Sequence, residues 1–133
     1  MNLQLEYMKK ALAAVQGVST SSAPIRKTYG ALCHQIPILV LTNGLGLTAA
    51  FVEAKAASEE PYRLIKEHLA GVLGAGPNVN LSTHIKGRTS EEYMLDTFTI
   101  LDAWVYYKRF AVSLLGVEAG TVDTVREDQT EGE

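Results

Sequence analysis

Apolar positions along the chain recur at steps of three and four, the period of helices rather than strands. In the first stretch, Leu3 to Gln16, the stripe is Leu5, Met8, Leu12 and Val15, and Gly17 with the polar run 19–22 ends it. Ser22 is placed to cap a second helix carrying Ile25, Tyr29, Leu32 and Ile36. Residues 37–57 predict a third helix, whose stripe Ile38, Leu41, Leu45, Ala49, Val52 and Ala56 runs unbroken. A fourth, Pro61 to Leu73, carries Tyr62, Ile65, Leu69 and Val72. Pro24, Pro37 and Pro61 each suit a first helical turn, where the missing N–H removes no bond. Gly74 to Asn80, with Pro77, reads as a loop, and His84, Lys86 and Arg88 fall in the loop before the last helix. Thr89 and Glu92 form a capping box for that helix, Ser90 to Leu115, about seven turns long. Met94, Phe98, Leu101, Val105, Val112 and Leu115 share one face, and Ile100, Tyr107, Phe110 and Leu114 widen it, as in a helix central to its bundle. The expected fold is all-α: a compact bundle of about five main helices with a long C-terminal helix.

One stretch admits a second reading. Gly44-Leu-Gly46-Leu-Thr-Ala49 spells G-x-G-x-x-A, the turn that cradles a dinucleotide pyrophosphate between a strand and a helix. The helical stripe passes straight through both glycines, and no second strand pattern follows. The helical reading is therefore preferred, with Gly44 and Gly46 inside one helix. Two such glycines cost about 1 kcal/mol each against alanine, so close packing there, or approach of a partner's backbone, is the expected compensation.

Composition narrows the chemistry. One cysteine, Cys33, allows no internal disulfide and suits a reducing cytosol. The polar start with Lys9 and Lys10 is no signal peptide, and no apolar run approaches the roughly 18 residues of a membrane span. His34, His68 and His84 lack metal-ligand spacing, and the G-x-S-x-G and phosphate-loop motifs are absent. Cys33 and His34 are neighbours, about 100° apart on a helix, and poorly placed as nucleophile and base. Glu91, Glu92, Asp96 and Asp102 read as a solvated face with acids favoured by the helix dipole. Neither cofactor nor metal is expected.

Charge divides the chain. Residues 118–133 hold six acids and one base, and their composition predicts a disordered tail dispensable for folding; residues 1–117, the bundle, hold eleven bases and nine acids. Several bases have helical partners in sequence: Lys10 with Glu6, Lys55 with Glu59, Arg63 with Glu59 and Glu67. Arg26, Lys27, Lys66, Lys108 and Arg109 have no acid three or four residues away. Lys108 falls on the apolar stripe behind Tyr106 and Tyr107, where a lysine must snorkel, find a buried partner or mark a surface that meets something other than core. Aromatics beside bases suit nucleic acid.

Three stretches carry a family resemblance: Arg26-Lys-Thr-Tyr29-Gly-Ala-Leu, then Pro37-Ile-Leu-Val-Leu-Thr-Asn-Gly-Leu-Gly46 through Ala50-Phe51, then Trp104 through Lys108-Arg109-Phe110-Ala111. In order and spacing, over roughly Leu5 to Leu115, the chain resembles the small all-helical subunit of the type III-B CRISPR effector, the Cmr complex. The resemblance implies a non-catalytic protein of a prokaryotic cytoplasm. It implies several copies stacked along the effector filament beside the crRNA-bearing backbone, with other Cmr subunits as partners and target RNA held through its phosphates. Arg26, Lys27, Lys66, Lys108 and Arg109 are the candidate RNA-binding residues, and Gly44 and Gly46 the candidate packing or interface positions. The alternative is a helical adaptor that binds protein only.

Overall fold

The computed structural model describes residues 2–76 and 79–120, and these form five helices without a strand. Helix α1 (Leu3–Val18) opens at Asn2, whose side chain accepts from the Leu5 amide at 3.1 Å. Helix α2 spans Ala23–Ala56, α3 Glu60–Leu73, α4 Leu81–Lys86 and α5 Ser90–Leu115. The expected capping box at Thr89 and Glu92 is present. The all-α bundle with a long last helix is what the periodicity predicted. The expectation of a disordered acidic tail falls mainly on residues 121–133, which lie outside the described residues.

Helix α2 lies between its neighbours, packing on α3, α4 and α5, while α1 lies mainly on α5. Trp104, Tyr29 and Tyr107 are the largest fully buried side chains. The Trp104 and Tyr107 rings stack with centroids 4.0 Å apart, and the Tyr29 hydroxyl hydrogen-bonds His68 Nδ1 at 2.7 Å. This places α2, α3 and α5 around one aromatic cluster.

Five expectations are corrected. First, Pro37 does not open a helix; it lies inside α2, which runs on from Tyr29 through Val40. Proline has no N–H to return to the Cys33 carbonyl four residues back, a cost that burial of Tyr29, Leu32, Ile36 and Val40 offsets. Second, residues 37–57 are not one regular helix, because Gly44 takes φ 87 and ψ 159, a conformation open essentially to glycine. The break changes the helical phase. Ile36 and Val40 are buried before it and Leu45, Ala49 and Val52 after it, a five-residue step from Val40 to Leu45. Ile38 and Leu41, the first two members of the expected stripe, are 61% and 72% exposed. The segment before Gly44 is helical, so the strand that a dinucleotide turn requires is missing.

Third, α5 buries a different face from the expected one. Ile100, Ala103, Trp104, Tyr107 and Ala111 are buried, whereas Met94, Phe98, Val105 and Val112 are exposed. Both rows have helical spacing, and sequence period alone does not say which faces inward. Fourth, the expected loop before α5 contains α4. Asn80 accepts from the Thr83 amide at 3.2 Å, and Glu53 of α2 accepts from the amides of Leu81 and Ser82 at 2.6 and 3.0 Å, so one carboxylate caps a six-residue helix across space. His84 is on that helix and half-buried. One helix, α2, is also long and apolar enough to cross a membrane by length and composition, contrary to the sequence expectation. Here it carries eleven buried residues inside the bundle, including Tyr29, Ile36 and Leu45.

These contacts set two stability predictions. Gly44→Ala forces a side chain into a positive-φ conformation and should lower stability by about 1–3 kcal/mol. Gly46→Ala should be near neutral, because its added Cβ would meet the Tyr93 hydroxyl at 3.4 Å, an ordinary contact, and alanine favours the helix. Thermal melts of the two variants check this contrast. His68 is half-buried, and the desolvation of its ring lowers its pKa from 6.5 to about 4. The unfolded chain therefore takes up this proton at higher pH than the folded one, and stability falls as pH drops from about 6.5 to 4, by about 3 kcal/mol when complete. His68→Gln should lose that share of the acid sensitivity, measured by urea unfolding at pH 7 and pH 4.

Candidate nucleic-acid interface

The bases without sequence partners separate into two places. Arg26 and Lys27 lie in the first turns of α2 and line a concavity of about 300 Å³ with Ala23, Leu115, Gly116 and Val117. Lys108 precedes Leu115 by seven residues, so it lies on the same side of α5, about 10 Å along the axis. Arg109 is the next residue, about 100° around. Lys27, Lys108 and Arg109 are exposed, and among the described residues none has an acidic partner. Arg26 is half-buried and its guanidinium donates to the Ser21 carbonyl, which holds it across the α1–α2 turn. Lys66 is elsewhere: it lines a separate concavity of about 410 Å³ with Glu67, Ala70, Gly71, Ala75 and Val79. The structure thus gathers four of the five candidates beside the C-terminal half of α5 and leaves Lys66 out.

What brings α2 and the end of α5 together was not singled out in the sequence. Gly116, at φ 70, ends α5 in the left-handed conformation, and the Val117 amide donates back to the Ala111 carbonyl at 3.0 Å. Val117 then lies over Gly30. A Cβ at Gly30 would come within 2.6 Å of the Val117 Cβ, so only glycine admits this approach. His34 Nε2 hydrogen-bonds the Val117 carbonyl at 2.8 Å. Lys27, Gly30 and His34 are spaced three and four apart, on one face of α2. The signal available was a glycine in an otherwise apolar helix at Tyr29-Gly30-Ala31, one turn from the paired bases.

Four of the remaining bases, Arg88, Arg63, Lys10 and Lys55, are engaged. Arg88, expected in a loop, donates through Nε and Nη2 to Asp96 at 2.8 and 3.1 Å, and Asp96 is buried rather than part of a solvated face. Arg63 pairs with Glu60 and Glu67, not Glu59. Lys10 donates to the Gly71 carbonyl at 3.0 Å, the C-terminal turn of α3, instead of pairing with Glu6. Lys55 and Glu59 pair as expected, at 3.9 Å.

Lys108 does not snorkel from a core stripe. It stands in the exposed row of α5, between Val105 and Val112 and in line with Met94 and Phe98. Tyr106 faces another way, its hydroxyl donating to Gln4 of α1 at 2.6 Å. Tyr107 is buried. The two tyrosines that suggested base stacking are therefore both engaged inside the bundle. Ile38 and Leu41 add exposed apolar surface on the neighbouring α2. Gly44 and Gly46 face Tyr93 of α5, whose hydroxyl accepts from the Gly46 amide at 2.8 Å and so caps the second half of α2.

Cys33 and His34 do not converge as nucleophile and base. Burial pushes the Cys33 thiol up, away from thiolate character, and His34 is turned to Val117. Among the described residues no group of three or more His, Cys, Asp or Glu could hold a metal ion.

Free and engaged bases should respond differently to mutation. Lys108→Glu should change stability by less than about 0.5 kcal/mol, as at other unpaired surface positions. Arg88→Ala strands the buried Asp96 carboxylate and should cost about 3 kcal/mol at neutral pH. Denaturant unfolding of both variants measures the difference.

Comparison with known proteins agrees with this architecture. The family model described as CRISPR-associated protein (Cas_Cmr5) matches residues 3–114. Among solved structures, the X-ray crystal structure of a CRISPR-associated Cmr5 family protein from Thermus thermophilus superposes with a TM-score of 0.73. The two are 26% identical, over 84% of this chain and 98% of that one. No curated protein matches the sequence. A match that spans all five helices, from the first residue of α1 to the last turn of α5, shows that this chain belongs to the CRISPR-associated Cas_Cmr5 family.

Proposed function

We propose that the chain is a non-catalytic small subunit of a cytoplasmic, RNA-guided Cmr effector complex of type III-B. In this reading several copies stack along the filament, contact other Cmr subunits, and help hold target RNA beside the crRNA through its phosphates. The observation that carries it is the juxtaposition around the C-terminal half of α5. Lys108 and Arg109 stand free in water, Lys27 lies beside the end of the same helix, and an exposed apolar row, Met94, Phe98, Val105 and Val112, runs past Lys108. Exposed apolar rows on small domains mark surfaces covered in an assembly. Unpaired bases set into such a row suit a groove that meets protein and polyanion together. Lysine and arginine ends bind phosphate oxygens without reading base sequence, in keeping with a subunit that leaves sequence recognition to the guide.

The test is a complex reconstituted with Lys27→Glu, Lys108→Glu and Arg109→Glu together. On a single strand each phosphate contact contributes about 0.7 to the slope of log affinity against log salt. The triple variant should assemble normally, capture target RNA at least about tenfold more weakly at low salt, and lose about 2 from that slope. Phe98→Asp with Val105→Asp should instead impair assembly, read by size-exclusion chromatography. Unchanged RNA capture by the assembled triple variant would leave the protein-only adaptor as the better account.

A further inference from the structure

We propose that the free chain pairs with a second copy of itself through α5, the two helices antiparallel, in one register set by Asp102 and Arg109. The exposed row of α5 repeats with the period of a coiled-coil seam. Phe98, Val105 and Val112 recur every seven residues, and Met94, Leu101, Lys108 and Leu115 recur every seven between them. Such alternating steps of three and four keep one seam turned toward a neighbouring helix. The seam runs for about 32 Å of helix. Met94, Phe98, Val105, Lys108 and Val112 are exposed, and Leu101 and Leu115 are half-buried. Ile38 and Leu41 of α2 follow His34 by four and seven residues, on the face that meets the end of α5, and widen the strip. Together these side chains leave on the order of 700 Å² open, near the roughly 800 Å² that each partner gives to a standard interface.

The flanks of the seam decide the partner and its direction. On one flank Trp104 and Ala111 are buried in the chain's own core. On the other stand Leu95, Asp102 and Arg109, all exposed, and neither charge has an ion-pair partner among the described residues. Parallel copies would set Asp102 against Thr97 and Arg109 against the buried Trp104 of the second copy, where no charge is offered. Antiparallel copies bring the two open flanks together. One relative shift then places each Asp102 beside Arg109 of the second copy, so the contact occurs twice about a two-fold axis. In that register Val105 lies level with Lys108, Leu101 with Val112 and Phe98 with Leu115 of the second copy. A shift of one heptad either way puts Asp102 against Asp102 or Arg109 against Arg109, and like charges reject it. Arg109 is singled out by its place on the open flank, seven residues from an acid on the same flank. Lys108 inside the seam lowers the stability of the pair and keeps it weak, with a dissociation constant on the order of 10 µM. Such a pair covers the surface that the proposed function gives to the effector, so pairing and assembly exclude one another; this consequence alone rests on that function.

Sedimentation velocity of the full chain, without RNA or other subunits, tests the pairing from about 1 to 200 µM. Dimers should form as the concentration rises through this range. Asp102→Arg and Arg109→Asp should each weaken pairing at least about tenfold at low salt, because each sets like charges together at both contacts. The chain carrying both substitutions should regain pairing to within about threefold of the original, the signature of two residues that meet each other. Lys108→Leu should tighten the pair at least about tenfold. Val105→Asp should abolish it, and Leu47→Asp, at an exposed apolar residue in the second half of α2, should leave it unchanged. Circular-dichroism melts check that each variant is folded. A chain that stays monomeric throughout the range would overturn the proposal. Dimers indifferent to either single reversal would do the same. So would a double reversal that fails to restore pairing, since neither a purely apolar contact nor a parallel pair gives that rescue.

Discussion

The backbone conformation of Gly44 decides which surfaces this bundle shows to water. A regular helix from Ala23 to Ala56 would carry one apolar stripe along its length. At φ 87 and ψ 159 the chain leaves the helical register, and burial resumes five residues after Val40, at Leu45. The first half of α2 consequently packs through Tyr29, Leu32, Ile36 and Val40 and turns Ile38 and Leu41 outward. The Tyr93 hydroxyl takes up the Gly46 amide that the break leaves without a helical carbonyl. One contact from α5 thus caps the second half of α2 and ties the two longest helices together at the point where the phase changes.

The other end of the same helix pair is set by absence of a side chain. Val117 reaches α2 because Gly30 has no Cβ, and His34 then holds the Val117 carbonyl. This closure brings the first turns of α2 against the end of α5 and so places Lys27 on the same side as Lys108. The charge distribution of the face is a by-product of backbone packing: bases from two helices, far apart in sequence, share a surface because two glycines, Gly30 and Gly116, let the chain turn and close.

Two arginines elsewhere are neutralised locally. Arg63 is held by Glu60 and Glu67, and Arg88 by the buried Asp96. Against that background, exposed cations beside an exposed apolar row stand out physically. Neither contributes its full worth to stability of the isolated bundle, since unpaired surface lysines are nearly neutral and the row of Met94, Phe98, Val105 and Val112 stays 37–57% exposed. Both gain only when something covers them, which is why the family's role in a multi-protein assembly and the surface of α5 are mutually consistent.

The sequence by itself determined the helical class, the capping box at Thr89 and Glu92, the start of α5 and the identity of the bases without local partners, because caps, period and i,i+4 pairing are interactions among near neighbours. It also carried enough of the family pattern in three short stretches to point to the Cmr small subunit. Tertiary structure decided the rest. Which of two helical rows on α5 is buried depends on what packs against it, and the more apolar-looking row turned outward while the row centred on Trp104 and Tyr107 turned in. Pro37 continues a helix because the packing around it outweighs one lost hydrogen bond. Helix α4 exists because Glu53, twenty-eight residues before Leu81, accepts from its first amides. Asp96 is buried because Arg88, outside the span of a helical pair, wraps onto it. Each of these outcomes turns on a contact between residues more than one helical turn apart, and such contacts leave no periodic trace in the order of the amino acids.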